Sequence, residues 1–362
     1  MSSRQFDLFG EPASHDVSES SSRDKTGDKT GDKPKAIAPR ATRIEPARLD
    51  ESVARLANQL SSRIHLGTSS WSFPGWVNSV YASAYSDTLL ARHGLPAYAA
   101  HPLLRTVGID RTFYAPIAEA DFRVYATQAR AVSPSFRFLV KAPMLFTGPR
   151  LRSDDGRWSD NDAFLNASLA TAQFVLPATR GLAETCGPLV FQFPPLGPRF
   201  TRSPARFADA LAEFLLALPV QSGAAFYAVE VRDPELLTDD YLAALCAGGA
   251  THCIAIHARM PTAIRQGRFW RESGRAPLVI RWSLHSGFKY EEAKERYAPF
   301  NALVDEDPEG RSQIATLVRE SADANRDAYV IVNNKAEGSA PLTIRKLAEL
   351  IHEYGETIVI RG

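Results

Sequence analysis

PLVFQFPPLGPRFTRSPARFADALAEFLLALPVQSGAAFYAVEVRDP (188–234) reads as strand, helix, strand. Its two ends, PLVFQFPP (188–195) and AFYAVEVRDP (225–234), are short runs rich in β-branched and aromatic residues, and Phe207 to Leu218 between them is helix-like. Two strands joined through a helix lie parallel, with a right-handed crossover.

Working outward, the same alternation recurs along the chain. Upstream lie IHLGTSSW (64–71), TVGIDRTFY (106–114) and FRFLVKAP (136–143); downstream lie HCIAIHAR (252–259), LVIRWSLH (278–285) and AYVIVNNK (328–335). Tyr241 to Ala247 and Gln313 to Asn325 supply further helical stretches. Eight such units in roughly 300 residues suit a closed (β/α)8 TIM barrel better than an open doubly wound sheet. No GxGxxG opens the first unit, which argues against dinucleotide binding.

Ahead of the first strand, Leu49, Val53, Leu56 and Leu60 recur at helical spacing, so residues 46–61 are expected to form an amphipathic helix packed on the first element of the barrel. The expected division is an arm at 1–45 and a barrel at 46–362. From Ala13 to Pro34 the chain has almost no large apolar residues and repeats Asp-Lys-Thr-Gly. Such a segment cannot offset its ordering entropy by burial, so a disordered N-terminal arm is expected, spanning about 30 Å as a flexible coil.

A net charge of +1 predicts neither a nucleic-acid nor a membrane partner from whole-molecule electrostatics. No apolar run approaches the roughly 20 residues that span a bilayer, and no signal-peptide core is visible, so the expectation is cytoplasmic. Cys186, Cys246 and Cys253 form no ligand-spaced cluster and no even disulfide framework.

A barrel's chemistry lies where its strands end. Those ends are polar here: Ser69, Ser70 and Trp71 after the first strand, Asp110 and Tyr114 after the second, Lys141 on the third and Gln192 on the fourth. Glu230 and Arg232 follow on the fifth, His257 and Arg259 on the sixth, Arg281 and His285 on the seventh, and Asn333 and Asn334 on the eighth. Buried parallel strands usually read as aliphatic runs, so these side chains either converge on a pocket or close the barrel mouth with structural bonds.

Lys141, Arg232, Arg259 and Arg281, with amide donors from Gln192, Asn333 and Asn334, suit a phosphate or carboxylate. Glu230 is the acid/base candidate, with Lys141, Arg281 and His285 beside it; the alternative is that Glu230 only neutralises Arg232. The interleaved cations disfavour a metal, and no cofactor is indicated. A nucleophile elbow GxSxG and a Walker loop are absent.

Two long loops are expected on the same face, 148–162 and 258–277. They interleave arginines with Trp158, Phe269 and Trp270, a composition suited to a nucleotide or nucleic acid, or else to aromatics packed back on the barrel.

The blocks GTSSWSFPGW (67–76), TVGIDRTFYAP (106–116), FLVKAP (138–143), GPLVFQFPP (187–195), VEVRDPELL (229–237) and VNN (332–334) resemble the YecE-like family, also called domain of unknown function 72. The resemblance covers roughly residues 64–355. It implies a TIM barrel loosely related to sugar-isomerase and endonuclease barrels, and no established reaction. The matching residues are Gly67, Trp71, Phe113, Tyr114, Lys141, Gln192, Pro194, Glu230, Arg232, Asn333 and Asn334. The family's T-V-E-I-N is replaced by Gly108 and Asp110, and its R-x-H-G is stretched to Arg281-Trp282-Ser283-Leu284-His285.

Finally, Gln5-Phe6-Asp7-Leu8-Phe9 resembles the sliding-clamp-binding motif of bacterial DNA polymerases and repair proteins. Gln5 would bond the rim of the clamp pocket while Leu8 and Phe9 fill it; alternatively the peptide docks on its own barrel. The readings open at this point are an enzyme acting on a phosphorylated or nucleic-acid substrate, a non-catalytic module tethered to the clamp, and a sugar-isomerase-like enzyme.

Overall fold

The computed structural model describes residues 43–359 apart from 154, 275 and 285–289. The expected arm and its pentapeptide, with Gln5, Leu8 and Phe9, fall almost wholly on residues 1–42 and lie outside the described residues, as does His285. The chain is already packed at Ile44, which is buried, and the Ala82 amide donates to Glu45 O.

Eight parallel strands close into a barrel in sequence order: β1 Ile64–Thr68, β2 Thr106–Ile109, β3 Arg137–Lys141, β4 Cys186–Gln192, β5 Phe226–Glu230, β6 Thr251–Ile256, β7 Leu278–Trp282 and β8 Ala328–Val332. β8 pairs back with β1, Leu66 lying opposite Val330. Each expected strand run overlaps one of these strands, β4 and β6 beginning before theirs. Helices such as Pro204–Ala217, Asp239–Ala247 and Pro308–Asp323 pack outside. Among the described residues no helix is long and apolar enough to cross a membrane.

Because side chains alternate across a strand, each strand divides its residues between two cores. Outward positions such as Ile64, Leu66, Val107, Phe138, Val140, Phe191, Val229, Ile254 and Ile280 meet the helices. Inward positions Leu139, Val190, Ala228, Cys253, Val279 and Ile331 form a separate apolar layer inside the barrel, with Phe226 against it. Burying each such aliphatic side chain contributes about 1.5–3 kcal/mol. Gly67 is required where β1 meets β2: a Cβ there would lie 1.9 Å from Thr106 O.

Three expectations need correction. The N-terminal helix runs only Glu51–Gln59, because the Asp50 side chain caps it by accepting from the Ser52 amide and Leu60 is already extended. It packs against the last helix, Ala340–Val359, more than against the first strand. The stretch 258–277 is not a long loop; it carries a helix, Ala263–Glu272.

Phe269 and Trp270 of that helix are buried, and the Trp270 Nε1 donates to Ala276 O. Two of its arginines are engaged too, Arg268 with Asp239 and Glu272, and Arg271 with Glu320. The stretch 148–162 forms a small antiparallel hairpin, Arg150–Arg152 with Trp158–Asp160. Trp158 is exposed there, while Arg150 pairs with Asp160 and Arg157 with Asp155.

Candidate functional site: a buried charge cluster at the barrel mouth

Lys141, Gln192, Glu230 and Arg281 each stand two residues beyond an inward apolar residue of their own strand: Leu139, Val190, Ala228 and Val279. The period of two therefore aims all four into the barrel, one layer nearer the C-terminal ends. Register adds to this, since Gln192 on β4 lies directly opposite Glu230 on β5.

Arg281 is the hub. Its Nη1 donates to Glu230 Oε2 at 2.6 Å and to Gln192 Oε1 at 3.0 Å, and its Nη2 donates to Asp110 Oδ2 at 2.8 Å. Glu230, fully buried, also forms an ion pair with Arg232. Arg232 in turn donates from Nη2 to Ser283 Oγ at 3.3 Å. Burial works against the Glu230 charge, but Arg232 and Arg281 prevail and hold its carboxyl at about 2. Burial likewise opposes the charge on Arg281, and Asp110 with Glu230 more than restores it.

Lys141 is treated differently. It is 1% exposed, and its Nζ lies 3.4 Å from the centre of the Phe113 ring. Among the described residues it makes no ion pair with a carboxylate. Burial pushes its ammonium down to about 7, Asp110 opposing and Arg281 adding to the depression. The cluster thus holds three basic side chains, Lys141, Arg232 and Arg281, and two carboxylates, Asp110 and Glu230.

Several polar atoms around it are buried without a hydrogen-bond partner among the described residues: Asp110 Oδ1, Trp71 Nε1 and His257 Nδ1. His257 is half-buried, and its imidazole is pushed down to about 4 by burial and by Arg232. Trp71 packs edge-on to Tyr125, with centroids 5.0 Å apart. Tyr114 is 47% exposed beside Phe113.

The remaining strand-end residues do not join the cluster. Arg259 is exposed. Asn333 donates to Ser69 Oγ at 2.9 Å and accepts from the Lys335 amide. Asn334 is a structural bracket: its Oδ1 accepts from Trp76 Nε1 at 3.0 Å and from the Ala340 amide at 2.9 Å, at the start of the last helix. Ser283 and Cys253, whose Sγ lies 3.9 Å from Glu230 Oε2, belong to the cluster but escaped the sequence reading. The two-residue alternation with Thr251 and Ala255 would have placed Cys253 inside; nothing in the sequence marks Ser283. Among the described residues no group of three or more His, Cys, Asp or Glu side chains could hold a metal ion.

A closed parallel (β/α)8 barrel whose polar residues gather at the C-terminal ends of its strands defines the architectural class. The chain belongs to the DUF72 family, described as proteins of unknown function, whose sequence profile matches residues 65–361. A DUF72 family protein from Enterococcus faecalis V583 shares the fold at TM-score 0.55 and 16% identity, over 80% of this chain and 95% of that one. Another, from Thermotoga maritima MSB8, does so at TM-score 0.53 and 18% identity, over 80% and 98%. No curated protein matches the sequence.

Proposed function

We propose that the barrel mouth binds a small molecule bearing a phosphate or carboxylate, and that the protein acts on it as an enzyme. The observation that carries this is the surplus of buried positive charge. Glu230 and Asp110 are both taken up by arginines, while Lys141 makes no ion pair among the described residues and rests on the face of Phe113. An anionic group beside Lys141 would balance the cluster and accept the donors that Arg232 has left over.

In this reading Glu230 is a fixed counter-ion: a carboxyl held at about 2 is a weak base at neutral pH. Lys141, near 7, is the group poised for proton transfer. A compact ligand suits the site better than a nucleic-acid strand, because Phe269 and Trp270 are buried and offer no face to a base. Calorimetric titration with inorganic phosphate, acetate and a short single-stranded oligonucleotide tests this. Saturable binding of the small anions, lost in Lys141→Met, is expected; binding of the oligonucleotide alone would overturn it.

The finer link to DNA replication or repair rests on Gln5-Phe6-Asp7-Leu8-Phe9. We propose that this peptide docks in a bacterial sliding clamp through Gln5, Leu8 and Phe9. Titration of the full chain into a clamp should show micromolar binding that the double substitution Leu8→Ala/Phe9→Ala abolishes; no binding would remove the link.

A further inference from the structure

We propose that Lys141 forms an imine with a small aldehyde or ketone that carries an anionic group, the carbonyl carbon meeting Nζ and the anionic group resting against Arg232. This rests on the anion-binding reading of the mouth and names the substrate class.

Three features of the geometry point to it. First, an amine becomes a nucleophile when it is desolvated beside other cations, and Lys141 is 1% exposed in a cluster that contains Arg232 and Arg281. Second, among the described residues Nζ has no carboxylate bond to break; it rests on the face of Phe113 at 3.4 Å. Lys346, by contrast, is exposed on the last helix and Lys335 is half-buried. Third, among the described residues Arg232 bonds Glu230 and Ser283 through Nη2 alone, which leaves its other nitrogens for an incoming anion. Deep burial further restricts the partner to a compact molecule, such as a 2-oxo acid or a triose phosphate.

The chemistry balances without an oxidant or reductant. The lone pair of neutral Nζ attacks the carbonyl carbon and forms the C–N bond. The carbonyl π pair moves to oxygen, which takes a proton while Nζ loses one, giving a carbinolamine. Protonation of its hydroxyl then expels one water and leaves a protonated imine. Asp110 is placed to carry these protons: Oδ2 is held by Arg281, and Oδ1 is buried without a partner among the described residues. The cationic imine would sit among the carboxylates Asp110 and Glu230, as the ammonium does now.

The test is borohydride trapping on the full-length protein with pyruvate, glyoxylate and dihydroxyacetone phosphate, with acetone as the uncharged control, followed by peptide mapping. The expected result is a secondary-amine adduct on Lys141. It should form about tenfold or more faster with the anionic carbonyls than with acetone, the worth of one charge-assisted hydrogen bond. Its rate should climb as pH rises through about 7, where Lys141 loses its proton, whereas an ordinary surface lysine gains reactivity only near pH 10. The comparison of oxo acids with the triose phosphate identifies the anionic group.

Lys141→Arg cannot form the imine, so it should lose the adduct, while binding of acetate and phosphate is read by calorimetry on the native protein. Anion binding in the native protein without a Lys141 adduct would overturn the imine and leave the binding site standing. Absence of both would overturn both readings. Adducts on Lys335 and Lys346 that persist unchanged in the variant would mark surface chemistry and also overturn the imine.

Discussion

His65 and Glu230 are both buried inside the barrel, one near the N-terminal end of β1 and the other at the C-terminal end of β5. At the floor, burial pushes the His65 imidazole down to about 4, so it sits neutral at physiological pH, stacked on Tyr329 with centroids 4.6 Å apart. At the mouth, Glu230 stays charged because two guanidiniums face it. A neutral ring costs far less to bury than an ion, which needs counter-ions around it. The contrast shows where reactivity can reside: at the mouth the buried charges lie at the end where a ligand could adjust their balance.

The sharpest way to break the comparison is to remove the mouth's counter-ion. Glu230→Gln should strand Arg232 and Arg281 in a buried site and cost about 3–5 kcal/mol, read from the urea midpoint. A cost near zero would mean that the cluster is hydrated and that its charges do not depend on one another.

The floor should respond to pH instead. A histidine with a lowered folded pKa gives stability that is present above 6.5 and lost as pH falls from there towards 4. His65→Phe should remove about 3 kcal/mol of that loss. The remainder belongs to His101, His252 and His257, whose rings are also held at about 4. Glu230 acts lower: its contribution is full above about 4.5 and is lost as pH falls through about 2. Denaturation midpoints at several pH values would separate the two windows.

Lys141→Met should have the opposite sign to Glu230→Gln. Replacing a buried ammonium that makes no ion pair among the described residues with an apolar chain of similar volume should stabilise the fold by about 1–4 kcal/mol while abolishing anion binding. Thermal unfolding checks it, and a loss of stability would show that the ammonium is well compensated. Smallest of all, Tyr329→Phe deletes a buried hydroxyl without a partner among the described residues, and should be neutral or stabilising by about 1 kcal/mol.

Much of the fold was legible because its signal is local. Each strand is a short apolar run whose flanks turn polar, and that alternation survives without knowledge of any contact. The 258–277 stretch reads as a loop from its many arginines, yet Ala263, Gln266, Gly267 and Trp270 form one face of a helix. Their spacing is helical, and all are buried.

The polar strand ends were visible too, yet their partners were not. Asp110 and Arg281 meet from 171 positions apart, and Trp76 and Asn334 from 258. Nothing local separates Asn334, which brackets a helix, from Arg281, which organises the mouth. Only three-dimensional pairing distinguishes them.

The inward layer of Leu139, Val190, Ala228, Cys253, Val279 and Ile331 carries one further consequence. It lies across the barrel bore beneath the charged residues like a stopper, so the mouth is a dead end and not a channel. Anything that reaches Lys141 must retreat along the path by which it came. Entry and exit then share one gate, and a departing molecule delays the next arrival for as long as it lingers at the rim.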